Sequence, residues 1–146
     1  VSRGVGELPR VVVDGDVIRI SLPYQASDSI ETALRTWFSE QARRMIERTV
    51  DQEAVRIGVN YSRLTIRDQK TKWGSCSKSG GLSFNWRLIL FPPSVLRYVV
   101  VHELCHIKHF NHSERFWRLV AHHDKSYETS VEWLKTNGAR MGNTYR

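Results

Sequence analysis

At 146 residues, 40% hydrophobic and 25% charged, the chain is an ordinary globular sequence long enough for one domain with a real core. No run approaches the roughly 18 apolar residues of a membrane span, and the opening VSRGVGELPR lacks the apolar stretch of a secretory signal. The net charge of +7 favours contact with nucleic acid or acidic surfaces, yet the densest basic stretches, RDQKTK and EQARRMIER, carry acids too and read first as solvated faces.

The start at Val1 rather than Met points to upstream residues lying outside the sequence. RVVVDGDVIRISLP predicts a hairpin: two β-rich runs flank Asp14-Gly15, a pair that favours a tight turn, and Pro23 closes it. SDSIETALRTWFSEQARRMIERTV predicts a long amphipathic helix that fades near Gly58. Asp28 and Glu31 have capping-box spacing, and Ile30, Leu34, Trp37, Phe38, Met45 and Ile46 recur at helical intervals as a core face. Strand signals return at SRLTIRD, around TKWGSC and in GLSFNWRLIL, with SKSGG as turn chemistry between the last two. In the last, Leu82, Phe84, Trp86 and Leu88 alternate with Ser83, Asn85 and Arg87, which predicts a half-buried strand with a polar side left open.

Pro92 and Pro93 end that strand and open a helix, since proline fits a first turn. From Ser94 to about His109 the pattern is helical and apolar nearly all round (Val95, Leu96, Val99, Val100, Val101, Leu104, Cys105, Ile107), which predicts a buried helix. Asn111 with Glu114 predicts the cap of a second helix through SERFWRLVAHH, and YETSVEWLKTNG a third, ended by Gly138. No repeat or linker interrupts the order, so residues 1–146 are expected to form a single α+β domain: strands and one helix, then a helical end. Two cysteines, Cys76 and Cys105, are too few for a disulfide scaffold and suit a reduced, cytoplasmic chain.

The buried helix carries an unusual polar load, in VVVHELCHIKHFNHSERFW. His102 and His106 are four apart, so their rings leave one face about 6 Å apart along the axis, where two imidazoles can share a zinc ion at Zn–N distances of about 2.0–2.1 Å. Glu103 beside the first of them completes H-E-x-x-H, whose glutamate acts as general base in metalloproteases. Two incidental histidines and an exposed glutamate are the bland alternative. That alternative fits badly, because each polar group left unpaired in a buried helix costs roughly 1–3 kcal/mol. Catalytic zinc takes a third protein ligand. His109 shares the stripe but lies seven residues, or about 10.5 Å of rise, from His102, too far for one ion. His112, just past the helix end, is the better third ligand, with Asp124 or Glu128 as the carboxylate alternative and His122 and His123 as surface residues.

These segments together, KTKWGSCSKSGGLSFNWRLILFPPSVLRYVVVHELCHIKHFNHSERFW, resemble the YgjP-like metallopeptidases, which are related to SprT-like proteases. The likeness is strong over about residues 60 to 138 and rests on a W-G-S-C turn, an N-W-R-L strand, H-E-L-x-H and H-S-x-x-F-W. It implies a zincin-like α+β fold, with a small mixed or antiparallel sheet packed on a buried active-site helix and further helices at the C-terminal end. It also implies zinc on His102, His106 and His112, Glu103 as the catalytic acid and base, and a protein or peptide substrate of no established identity. The three histidines also have metzincin spacing, but His109 stands in place of the turn glycine and Met141 lacks a Met-turn pattern, so that family is set aside.

The expected activity is zinc-dependent peptide hydrolysis, the substrate pairing with an open edge of the strand at Leu82–Leu88. Tyr127, Arg87 and His122 are candidates for oxyanion support, and Ser75 and Cys76 for lining the cleft, while Trp73 and Trp86 read as core. Two rivals stand beside it. One is a nucleic-acid-associated protease or basic DNA-binding module, with DNA or DNA-bound protein as partner, motivated by the charge and the SprT-like kinship and weakened by the lack of a concentrated basic patch. The other is a structural zinc domain without turnover, disfavoured because closed structural sites use four ligands rich in cysteine.

Overall fold

A computed structural model describes residues 10–14, 17–21, 29–68 and 72–138, with side chains from Ile30 onward. The chain divides into two compact units, residues 1–41 and 42–146.

In the first unit the expected hairpin forms. Strand β1 (Arg10–Asp14) pairs antiparallel with β2 (Val17–Ser21), in a register running from Arg10 opposite Ser21 to Asp14 opposite Val17. The connecting residues, Pro23 and the Asp28 of the expected capping box lie outside the described residues. Helix α1 (Ser29–Ile57) begins here, and its Trp37 and Phe38 meet edge to face with ring centroids 4.9 Å apart.

In the second unit, α1 buries Ala42, Ile46, Val50, Ala54 and Ile57, a stripe of helical spacing. Met45, expected on the core face, is exposed because it sits one residue off that stripe; Ile30, at the other end of the helix, is exposed as well. Gly58 ends the helix where the sequence predicts, in the left-handed region at φ +79, with its N–H and that of Val59 both donating to the Ala54 carbonyl. A side chain is strained there, which is why a glycine occupies that position.

Three strands form a mixed sheet in the order β3-β5-β4: β3 (Arg63–Arg67), β4 (Gly74–Cys76) and β5 (Gly81–Asn85). β5 runs parallel to β3 and antiparallel to β4, so it lies in the middle. The expectation of an open-edged strand from Leu82 to Leu88 is therefore corrected twice. β5 has a neighbour on each side, and it stops at Asn85, whose side chain accepts a hydrogen bond from the Arg87 N–H at 3.0 Å and starts a short 3-10 helix over Trp86–Leu90. Leu88 is still buried in that helix, so the apolar alternation continues after the strand has ended.

Helix α2 (Pro93–Lys108) starts at the two prolines and is buried at Val95, Leu96 and without interruption from Tyr98 to His106. Helix α3 (Glu114–His123) is capped by Ser113, which accepts from the Phe116 N–H at 3.3 Å, rather than by Asn111. Helix α4 (Tyr127–Asn137) ends at Gly138. Trp73 is wholly buried against Phe91, which in turn meets Trp133, while Trp86 is half-buried, so both tryptophans pack as core.

A second polar feature ties this unit together. Glu53, only 5% exposed, accepts from Arg56 at 2.8 Å and from Arg97 at 3.3 Å. Arg97 also donates to the His123 carbonyl and lies 3.7 Å from Asp124. Among the described residues, no helix is long and apolar enough to cross a membrane.

Candidate metal centre

The face of α2 four residues apart carries His102 and His106, their ring centroids 5.0 Å from each other and their exposures 2% and 9%. The helix stops at Lys108, where the His109 N–H donates to the Cys105 carbonyl, and the chain doubles back through Phe110 and Asn111 to α3. That reversal brings the exposed His112 back to its two predecessors, its Nε2 3.2 Å from Nε2 of His102 and 3.1 Å from Nε2 of His106. Among the described residues, this is the group of three donors close enough to hold one metal ion, all within 4.8 Å of one another. Donors at about 2.0–2.1 Å from a tetrahedral zinc stand roughly 3.3–3.4 Å apart, and the two distances from His112 Nε2 are close to that spacing.

The outer nitrogens of the same rings decide which form the inner ones take. His106 Nδ1 lies 3.2 Å from the His109 carbonyl oxygen. A carbonyl only accepts, so that nitrogen carries the hydrogen and Nε2 keeps its lone pair. His102 Nδ1 lies 3.0 Å from the hydroxyl of Tyr98, a fully buried residue one turn earlier on α2. Burial, and secondarily the neighbouring His106 and His112, push the His102 pKa down to about 2. His106 is lowered as well, mainly by burial, against the opposing pull of the His109 carbonyl. Neutral imidazole is the metal-binding form.

Aromatic side chains brace the group. Phe116 stacks on His106 at 4.3 Å and meets His102 and His112 edge-on at 4.9 and 5.1 Å. Trp117 stacks on His112 at 6.0 Å and on Tyr127 at 5.7 Å. The H-S-x-x-F-W segment thus supplies one candidate ligand, the cap of α3 and two rings that hold the ligands in place. Nothing in the sequence reading assigned Tyr98, Phe116 or Trp117 this place, although Tyr98 stands four residues before His102 and Phe116 four after His112.

Glu103 is buried, at 3% exposure, on the same helix. The W-G-S-C segment is built around it. A Cβ at Gly74 would stand 3.1 Å from Glu103 Cγ and 3.1 Å from Phe84 Cδ1, so the glycine lets β4 lie directly against the glutamate. Burial and then the charge of Glu103 push the half-buried Cys76 thiol up to about 11.

The remaining candidates go elsewhere. His109 contributes its carbonyl and not its ring. Asp124 is buried against Ser126 and Arg97, and Glu128 is exposed. Arg87 pairs with Asp68 and lies over the Trp86 ring, and His122 is exposed.

Comparison with known proteins agrees with this architecture. The family model for the YgjP-like metallopeptidase domain matches residues 9–137. The fold is similar to the metallopeptidase zymogen abylysin of Pyrococcus abyssi, with a TM-score of 0.53 and 22% identity over 64% of this chain and 95% of that one. It is also similar to the metallopeptidase zymogen jannalysin of Methanocaldococcus jannaschii, with a TM-score of 0.50 and 26% identity over 60% of this chain and 94% of that one. No curated protein sequence matches. The fold is zincin-like α+β, and the chain belongs to the YgjP-like metallopeptidases, a family whose members work on peptide bonds with a metal ion, typically zinc.

Proposed function

We propose that the chain is a single zinc metallopeptidase domain in which His102, His106 and His112 hold the ion and Glu103 is the general base. The observation that carries this reading is the approach of His112 Nε2 to within 3.1–3.2 Å of the Nε2 atoms of both His102 and His106, on a helix that also carries the buried Glu103. Bound there, zinc would supply Lewis acidity, lowering the pKa of a water towards about 7 and polarising the scissile carbonyl. Glu103 takes the proton from the attacking water and passes it to the leaving amine. Tyr98 and the His109 carbonyl hold the outer nitrogens of His102 and His106, and so keep the inner ones aimed at one point.

The peptide is placed by β4 rather than by the strand at Leu82–Leu88. The Trp73 carbonyl accepts from the Asn85 N–H and the Ser77 N–H donates to the Gly81 carbonyl, so residues 73, 75 and 77 turn their backbones towards β5. Gly74 and Cys76 then direct their N–H and C=O groups away from β5, along an outer edge beside Glu103. An extended substrate pairs with these groups by strand addition. The nucleic-acid reading gains no comparable support, since Arg56, Arg87 and Arg97 turn to the chain's own carboxylates.

Elemental analysis of the purified protein beside its His112→Ala variant tests the site. One zinc per chain, lost or much weakened in the variant, is expected. No metal after chelator-free purification, and none taken up on adding zinc, overturns the reading.

A further inference from the structure

The loop that carries His112 back to the helix also carries an apolar ring with no place in the core. Phe110 is 46% exposed. Unlike the exposed Met45, Val55 and Leu90, it stands beside the candidate metal ligands, its centroid 6.2 Å from that of His106. The Lys78 ammonium lies over the same ring, 5.5 Å from its centroid. Lys78 belongs to the turn that follows β4, two residues beyond Cys76, and is itself exposed. The end of the outer strand and the ligand-bearing loop therefore meet through one cation and one aromatic face. Leaving that much aromatic surface in water is unfavourable, which an apolar partner reverses.

We propose that Phe110 and Lys78 form a specificity subsite for the peptide substrate, taking a large apolar side chain against the ring and a carboxylate at the ammonium. This rests on the reading of the β4 edge as the peptide site and adds the class of sequence it accepts. A peptide paired with Gly74 and Cys76 runs on past Cys76 towards Lys78. In an extended peptide alternate side chains share a face and stand roughly 6.6 Å apart. That spacing is close to the 5.5 Å between Lys78 and the Phe110 ring. The motif the geometry favours is thus apolar and acidic residues separated by one position.

The test reads binding without turnover, on zinc-loaded Glu103→Gln protein. Blocked alanine heptapeptides carry Phe at each position in turn, and then Phe with Glu two residues before or after it. One Phe position is expected to tighten binding about tenfold over the all-alanine peptide. Glu placed two residues away on one side should add a further factor of about three that fades with salt. Phe110→Ala should abolish the Phe gain and Phe110→Leu keep most of it, both with unchanged zinc content. Lys78→Glu should reverse the effect of the peptide's Glu. If no Phe position gains, if the gain survives Phe110→Ala, or if no peptide binds, the subsite is wrong. If peptides bind with this pattern while the wild-type enzyme hydrolyses none of them, the catalytic assignment fails and the subsite stands.

Discussion

Helix α2 takes part in two polar clusters that differ in kind. Near its start, Arg97 joins Glu53, Arg56 and Asp124, an arrangement in which opposite charges face one another. Further along, His102 and His106 meet His112, and three like groups face one another. The first set pairs opposite charges, with only Asp124 Oδ2 buried and without a hydrogen-bond partner, and it links α1, α2 and the end of α3. The second gathers the same kind of atom at one point, and burial drives His102 and His106 to the neutral form, so the partner that suits it is a cation from outside. Opposite charges facing one another mark a structural cluster, and like donor atoms converging on one point mark a candidate site.

Changes on the histidine side should cost activity with little stability, and changes on the ionic side the reverse. The largest expected effect is that of Glu103→Gln, which should retain zinc while kcat falls by about 10²–10⁴. Peptide hydrolysis and zinc content measured on the same preparation check it; full activity would take the base away from Glu103. Next is Glu53→Ala, which takes from Arg97 its closest carboxylate and leaves it the His123 carbonyl and Asp124. A stability loss of about 3 kcal/mol is expected from breaking such a pair, at the low end because Arg97 keeps some exposure to water. Urea denaturation reads it, and zinc affinity of the folded variant should match wild type. A variant that unfolds normally but loses zinc would dissolve the distinction between the two clusters.

Tyr98→Phe lies on the boundary of the comparison, since it removes only the hydroxyl beside His102 Nδ1. Loss of such an outer contact should weaken zinc binding about 10–100-fold, read by competition with a chromogenic chelator, with a smaller effect on folding. Unchanged affinity would make Tyr98 a packing residue.

Much of this was legible in the sequence, for a physical reason. Helical spacing is a local property, so the buried run of α2, the end of α1 at Gly58 and the shared face of His102 and His106 can be read from neighbours in the chain. His112 is nearly local, because a helix that stops at Lys108 must turn back to return a side chain to it. Strand order is not local. That β5 lies between β3 and β4 depends on pairings across 18 positions, as of Arg67 with Asn85 and Arg63 with Gly81, and no alternation pattern reports it. Nor does alternation report that Asn85 caps a 3-10 helix, since Leu88 keeps the apolar rhythm while the backbone changes. Tyr98 and Phe116 are core and Trp117 packs against it, and their place as braces for imidazoles appears only when the rings are placed.

The smallest expected effect probes the contact between β4 and Glu103, where W-G-S-C meets the candidate base. Alkylation requires the thiolate, and a pKa near 11 instead of 9.0 leaves about 100-fold less of it at neutral pH, so in metal-free protein Cys76 should react slowly with iodoacetamide. Burial is the larger cause and the Glu103 charge the second, so Glu103→Gln should speed the reaction only a few-fold, with burial still holding it back. Cys105, wholly buried, should stay silent in both proteins, which makes peptide mapping of the modified residue the measurement. An unchanged rate would mean that the glutamate's charge does not reach the thiol. The close fit of Gly74 against Glu103 would then be steric alone: the strand would sit where the peptide needs it without sensing the protonation of the base it covers.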